Sequence, residues 1–283
     1  MATVPGATPR AASPATTGVR AVDAHAHVLK RDVPLVAERH SAPKRDATVD
    51  DYVALLDRHG MSHALLTAPS FYGADNSLLV AALRAYPARL RGTAIVEPSI
   101  DDRALAALDA AGVVGMRLNW LRRDTLPDVA AAPWKRLLAR VGDRGWHVEI
   151  YLEGPKLATV LPALRASGVR VVVDHFGAPD PARGVRCDGF QAVLAGVRDA
   201  DTWVKLSAPY RLGGADPQVY VDALVAVGPA QLLWGSDWPF VGFEDTVSYT
   251  QCVQSLRDWV PDDAVRHTIL AETPATLFGF TRH

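Results

Sequence analysis

The sequence predicts an α/β protein of the closed (β/α)8, TIM-type barrel class. Eight short apolar runs rich in β-branched residues recur along the chain, and Ala/Leu-rich stretches of helical periodicity separate them. Near-continuous apolar runs are what strands covered on both faces require. Strands alternating with helices argue for a parallel sheet, and eight repeats argue for closure into a barrel.

The strand runs are 21–28, 63–68, 92–96, 113–119, 147–152, 169–175, 202–206 and 231–235. The helical stretches begin at 50–58, where Tyr52, Leu55 and Leu56 share a face, and at 76–86, where Leu78, Leu79, Ala82 and Leu83 do. They continue at 102–109, 133–144, 156–166, 189–198, 218–227 and 248–259. Gly60, Gly112, Gly145, Gly168 and Gly228 stand near the helix ends, where a left-handed cap costs glycine little. Residues 262–280 read as a terminal helix that Thr273-Pro274 breaks or restarts. Residues 21–283 are expected to form one barrel domain. Residues 1–20, rich in Ala, Thr and Pro, are expected to form a disordered or extended tail.

Bulk properties narrow the function. Of 283 residues 49% are hydrophobic and 22% charged, enough for a large core. The formal net charge of -1 gives no global footprint for nucleic acid. No apolar run approaches the roughly 18 residues of a membrane span. The N-terminal stretch lacks the apolar segment of a secretory signal, so a cytoplasmic location is expected. Cys187 and Cys252 form neither a metal-type spacing nor a disulfide framework.

Barrels of this class carry their chemistry at the C-terminal strand ends. The first run ends in His25 and His27. Side chains two apart on a strand share a face, so both imidazoles point one way and Asp23 is expected to join them. Such a pair can bind a divalent metal or donate hydrogen bonds to one oxygen. The sixth run ends in Asp174 and His175, and a polar pair after three valines is costly unless used. By parity Asp174 should point away from His175 and support it. After the eighth run Asp237 lies between Gly235 and Pro239, where a carboxylate can serve as general base on water. Arg117, Arg123 and Arg211 are candidates to bind substrate carboxylates through their planar guanidinium groups. Ser70 and Tyr151 can add hydrogen bonds or line the mouth.

Seven segments in order carry a resemblance. They are Asp23-Ala-His-Ala-His-Val, Gly73-Ala-Asp-Asn76, Gly115-Met-Arg-Leu-Asn119 with Arg123, His147-Val-Glu-Ile-Tyr151, Val173-Asp-His-Phe-Gly-Ala-Pro-Asp180, Trp203-Val-Lys-Leu-Ser207 through Arg211-Leu212, and Trp234-Gly-Ser-Asp-Trp-Pro239. From about Ala21 to Phe278 the chain resembles the 2-pyrone-4,6-dicarboxylate lactonase branch of the amidohydrolase superfamily. The resemblance implies a lactonase on a distorted (β/α)8 barrel acting on a small anionic lactone. Asp237 would activate water and deliver its proton to the leaving oxygen, and His25, His27 and His175 would stabilise the oxyanion. Arg117, Arg123, Arg211, Tyr151 and Ser70 would hold the substrate.

Phe240 stands where that branch carries a histidine, and Phe71-Tyr72 where a smaller or more polar pair is usual. Both imply a related substrate, such as a muconolactone or a sugar-acid lactone, with Phe240 among the groups that line its pocket. The resemblance implies no required metal, and Arg117 at the fourth strand end, where a bridging lysine or glutamate would stand, repels a dinuclear centre. A mononuclear zinc on His25, His27, His175 and Asp237 is the chemically reasonable alternative. Two other functions fit part of the pattern: a zinc-dependent decarboxylase of the same superfamily, and a non-catalytic carboxylate-binding barrel.

Overall fold

The computed structural model describes residues 18–280, so the expected tail lies outside the described residues apart from its last three. Strands β1 (Val22–Ala26), β2 (His63–Thr67), β3 (Leu90–Ala94), β4 (Val113–Asn119), β5 (His147–Tyr151), β6 (Arg170–Val173), β7 (Thr202–Ser207) and β8 (Leu232–Gly235) pair in sequence order. All seven pairings are parallel. The closure between β8 and β1 is made by the residues at and just beyond the strand ends. Asp237 N donates to His25 O at 2.9 Å and His27 N to Trp238 O at 2.8 Å. The barrel is therefore distorted at the seam that carries His25, His27 and Asp237.

Helices α1 (Val49–Arg58), α2 (Ser77–Ala85), α3 (Asp102–Ala110), α4 (Ala132–Asp143), α5 (Gly154–Ala166), α6 (Asp188–Arg198), α7 (Pro217–Val227) and α8 (Tyr249–Trp259) cover the strands. Their starts follow local chemistry. Thr48, Asp101, Asp216 and Ser248 accept from first-turn backbone N–H groups. Ser248 and Gln251 form a reciprocal capping box. Gly228 departs from the expected left-handed cap: its φ of -175 is extended backbone. At the C-terminus α9 (Asp263–His267) and α10 (Thr273–Leu277) are joined by a π turn over Thr268–Glu272. Pro274 has no N–H to donate along the helix, and the widened turn precedes it without a break in direction.

Alternation along the strands sorts the side chains. Met116 and Leu118, Val148 and Ile150, Val171 and Val173, Val204 and Leu206 face the helices and belong to the main core. Inside the barrel Val22, Ala24, Leu65, Val172 and Leu233 form an apolar floor that Leu277, Phe278 and Phe280 close from below. Glu149 and Lys205 stand above that floor, each fully buried.

Strict alternation fails at two places. The pairing of β1 with β2 shifts register between Asp23 and Ala26. Ala24 lies on the floor, yet His25 also faces the interior, so the expectation that Asp23 joins the histidines is overturned. Asp23 instead accepts from Ser236 Oγ at 2.6 Å and from the Tyr249 hydroxyl of α8 at 2.9 Å. After β6 the parity expectation also fails. Asp174 faces inward in step with Val172, but left-handed backbone at His175 (φ 49) and Phe176 (φ 59) brings the imidazole back over the mouth on the same side.

The seam leaves no room at Gly235. A Cβ there would sit 2.5 Å from His25 Cβ and 2.9 Å from His25 N. Gly235→Ala is expected to lower unfolding stability by about 1–3 kcal/mol, the usual cost of overpacking, as read from urea titration. Unchanged stability would show that β1 and β8 are not held this closely.

Candidate active site

Asp237 is the hub of the mouth. It follows β8 with a left-handed φ of 63, a conformation that costs a non-glycine residue roughly 1–3 kcal/mol and is retained where the surroundings enforce it. Its two oxygens face different partners. Oδ2 accepts from the Tyr210 hydroxyl at 2.7 Å and from Arg211 Nε at 2.9 Å. Oδ1 faces three imidazoles: His25 Nε2 and His27 Nε2 at 3.6 Å each, and His175 Nε2 at 3.9 Å. His25 of β1, His27 just after it, and His175 and Asp237 just after β6 and β8 are thus brought together at one point.

The far nitrogens of the rings are anchored. His27 Nδ1 lies 2.7 Å from the Thr67 carbonyl oxygen. A carbonyl only accepts, so His27 carries a proton on Nδ1, and in its neutral form it accepts at Nε2. His175 Nδ1 pairs with Ser207 Oγ at 2.8 Å. His25 Nδ1 lies 2.9 Å from Lys205 Nζ. Tyr151 packs edge-on against His175, with ring centroids 4.7 Å apart.

Beneath the rings lies a buried ionic network. Lys205 Nζ donates to Glu149 Oε2 at 2.5 Å and lies 3.2 Å from Asp174 Oδ1. Arg117 donates to Asp174 Oδ2 at 3.2 Å and to the Ala68 carbonyl at 2.8 Å, and its Nε lies 3.4 Å from Glu149 Oε1. Two cations and two carboxylates balance in formal charge, which such deep burial demands.

Burial and charge tune the titrating groups. Burial favours the neutral carboxyl at Asp237, but Arg211 and the nearby imidazoles outweigh it and hold the group well below the usual range. Burial pushes His175 down to about 4. Burial first and the charge of Lys205 second hold His25 well below the ordinary imidazole value. Burial and then the charge of Asp174 push Glu149 upward.

A cavity of about 560 Å³ opens above Asp237. His27, Ser70, Arg117, Tyr151, His175, Arg211 and Asp237 line it. An adjoining cavity of about 770 Å³ shares Ser70, Arg117 and Arg122, and it holds Arg123 at its exposed side. Arg123 is thus set apart from the imidazole cluster. Phe240 does not line the first cavity. Its backbone turns left-handed (φ 65) directly after Pro239, and its ring packs in the core at 4% exposure, so its assignment to the substrate pocket is corrected. Arg117 is spent largely on Asp174, Glu149 and Ala68. Arg211 is ion-paired with Asp237 and also donates to the Val241 carbonyl at 3.2 Å.

Sequence reasoning missed Glu149, Lys205 and Tyr210. Glu149 is two residues before Tyr151 and Lys205 two before Ser207, so each shares a barrel-facing row with a residue already singled out. A charge inside an otherwise apolar strand was the available signal. Tyr210 gave none beyond its place next to Arg211.

His25, His27 and Asp237 bring ligand-type atoms within 4.8 Å of one another, as do His25, Asp174 and His175, so a histidine–aspartate group that could hold a metal ion exists here. The fit is incomplete. An imidazole ligates through a nitrogen lone pair, but the Nδ1 lone pair of His25 faces the Lys205 ammonium, which leaves the ring proton on Nε2, the nitrogen that faces Asp237. Lys205 and Arg117 also already neutralise the carboxylates beneath the rings.

A barrel whose C-terminal mouth gathers imidazoles around a strand-eight aspartate defines a class of hydrolytic centre, and the comparisons agree with it. A family described as Amidohydrolase matches residues 22–280, and the chain belongs to that family. It is 32% identical over 268 residues to a 2-pyrone-4,6-dicarboxylate hydrolase of Comamonas testosteroni, covering 87% of this chain and 81% of the relative. It is 27% identical over 269 residues to a 4-sulfomuconolactone hydrolase of Rhizobium radiobacter, covering 91% of this chain and 89% of that one. Among solved structures, a probable 2-pyrone-4,6-dicarboxylic acid hydrolase of Acinetobacter baumannii with citric acid bound superposes with a TM-score of 0.86 at 33% identity, over 92% of this chain and 99% of that chain.

The site sets a pH profile. With His175 titrating at about 4, kcat/KM is expected to stay flat from pH 8 to about 5 and to fall below that as His175 gains a proton. In Arg211→Met the largest of the influences that hold Asp237 down is gone, its pKa rises, and the acid limb is expected to move upward. A raised KM with an unmoved limb would instead assign Arg211 to the substrate alone.

Proposed function

We propose that the protein hydrolyses a small anionic lactone, with Asp237 as general base and without a required metal. The observation that carries this reading is the division of labour at Asp237. Tyr210 and Arg211 occupy Oδ2, and Oδ1 is left facing three imidazoles, of which His27 and His175 line the cavity and His25 is buried behind them. The named activities of the relatives, on 2-pyrone-4,6-dicarboxylate and 4-sulfomuconolactone, agree with it.

A water at Oδ1 gives its proton to Asp237 and its oxygen to the lactone carbonyl carbon. The carbonyl becomes an oxyanion that takes hydrogen bonds from imidazole N–H groups. His27, which accepts at Nε2 when neutral, suits the water better than the oxyanion. As the ring C–O bond breaks, Asp237 returns the proton to the leaving oxygen. The product is a ring-opened hydroxy acid or its keto tautomer, whose new carboxyl group ionises. Arg122 and Arg123, at the mouth and in the adjoining cavity, are placed for carboxylate or sulfonate groups of the substrate. The cavity suits a ligand of this size.

Turnover is tested on a panel holding 2-pyrone-4,6-dicarboxylate, 4-sulfomuconolactone and sugar-acid lactones, each with and without chelator. Hydrolysis that survives the chelator is expected. Hydrolysis that is lost and returns with zinc would put the cluster around a metal, and no hydrolysis of any member would remove the lactonase reading. In Asp237→Asn, kcat is expected to fall by about 10²–10⁴, the usual contribution of a positioned acid–base group, with ligand Kd changed only a few-fold. Near-normal turnover in that variant would displace Asp237 as the base.

A further inference from the structure

We propose that Lys205 is a positioning residue that fixes His25 as the Nε2–H tautomer, so that the imidazole enters the site as a proton donor and not as a metal ligand. The proposal extends the hydrolytic, metal-free reading of this site. It is carried by the contacts of one ammonium group.

Lys205 sits in the middle of β7 with no exposure to solvent. Three polar atoms surround its Nζ: Glu149 Oε2 at 2.5 Å and His25 Nδ1 at 2.9 Å within hydrogen-bond geometry, and Asp174 Oδ1 at an ion-pair distance of 3.2 Å. An ammonium has three N–H bonds and no lone pair. At 2.9 Å an N–H on His25 Nδ1 would point hydrogen at hydrogen, so Nδ1 must present its lone pair. The ring proton is then on Nε2. That atom is buried, has no hydrogen-bond partner among the described residues, and lies 3.6 Å from Oδ1 of Asp237, which lines the cavity. A buried donor without a partner is expensive, and it is retained where an incoming oxygen satisfies it.

Asp174 competes for the same nitrogen, since its Oδ1 lies 3.3 Å from His25 Nδ1 and would favour a proton there. Asp174 Oδ1 makes no hydrogen bond among the described residues, but its carboxylate is ion-paired with Lys205 at 3.2 Å and, through Oδ2, with Arg117 at 3.2 Å. With Lys205 and Arg117 set against Glu149 and Asp174, the network is neutral in formal charge and needs no proton from His25. Removing Lys205 reverses the balance. The remaining polar neighbours of Nδ1 are the carboxylates of Asp174 and Glu149, at 3.3 and 3.8 Å. The proton then moves to Nδ1, and Nε2 offers a lone pair beside His27 Nε2 and Asp237 Oδ1.

The first test uses the unaltered protein and no substrate. Two-bond 1H–15N correlation of the imidazoles, with His25 assigned through His25→Gln, is expected to show Nε2 protonated and Nδ1 unprotonated. A proton on Nδ1 with Nε2 free, or a doubly protonated ring, overturns the proposal. The second test compares Lys205→Met with the charge-balanced pair Lys205→Met/Glu149→Gln, which spares the fold an unpaired carboxylate. In the folded variants His25 is expected to switch to the Nδ1–H form. Zinc retained against a competing chelator is expected to rise toward one per chain from the low level of the unaltered protein, and kcat to fall by about 10²–10³, the effect of losing one oxyanion donor, with KM within a few-fold. A folded variant that keeps the Nε2–H form and gains no zinc overturns the assignment of Lys205. The tautomer is read without turnover, so a failed lactone assay leaves this result standing, and a failed tautomer assignment leaves the hydrolase assay standing.

Discussion

The interaction on which the rest depends is the buried ion network of Lys205, Glu149, Asp174 and Arg117 in the middle of the barrel. Charges taken this far from water are tolerated only when each meets an opposite partner at short range. That requirement fixes the inward faces of β4, β5 and β7 and the end of β6 relative to one another. The floor of apolar side chains beneath it, closed by Phe278 and Phe280, keeps water from entering from below. The network therefore works as a platform. His25 touches it through Lys205 and Asp174, and Arg117 carries it to the cavity wall. Removing one member would strand a charge in a low-dielectric interior, so the platform is rigid for energetic reasons.

Above the platform the backbone departs from ideal geometry where the chemistry sits. His175, Phe176, Ala208, Asp237 and Phe240 all adopt left-handed conformations without being glycine. Each lies just beyond a strand end, where such a conformation reverses the chain locally. At His175 and Asp237 the reversal turns a polar group back over the mouth. Hydrogen bonds hold the site: His175 pairs with Ser207, His27 donates to the Thr67 carbonyl, and Tyr210 and Arg211 donate to Asp237. Asp237 thus has one oxygen tied and one oxygen facing the imidazoles. The tie fixes its orientation, and Arg211 at that oxygen together with the imidazoles around the other holds its pKa low against the effect of burial.

Much of this was legible in the sequence, for reasons that can be named. The eight apolar runs and their helical spacers gave the barrel, since strands covered on both faces must be apolar whatever their neighbours. His25, His27, His175 and Asp237 stood out because polar residues at the ends of such strands need a use. What was not legible depends on local geometry. The register shift in β1 sends Asp23 to Tyr249 and Ser236, and no periodicity announces a bulge. The left-handed turn at His175 defeats the parity argument for Asp174. Phe240 follows the site in sequence yet points into the core, because the backbone turns there. Glu149 and Lys205 were visible as letters, but their meaning required seeing that they face each other across the barrel. Arg211 was expected to read substrate, and its contact with Asp237 is set by a short turn over Pro209–Arg211 whose sequence carries no such instruction.

The central claim is that one carboxylate oxygen and three imidazole nitrogens form a preorganised pocket for the reacting carbonyl and its water. A crystal structure of the protein with a slowly hydrolysed anionic lactone or the ring-opened acid bound, with anomalous data collected at the zinc edge, tests it most directly. The account predicts the reacting carbonyl or carboxylate oxygen within hydrogen-bond distance of His25 Nε2, adjacent to Asp237 Oδ1, with no anomalous peak between the rings. A ligand confined to the adjoining cavity, or a metal peak among His25, His27 and Asp237, would contradict it.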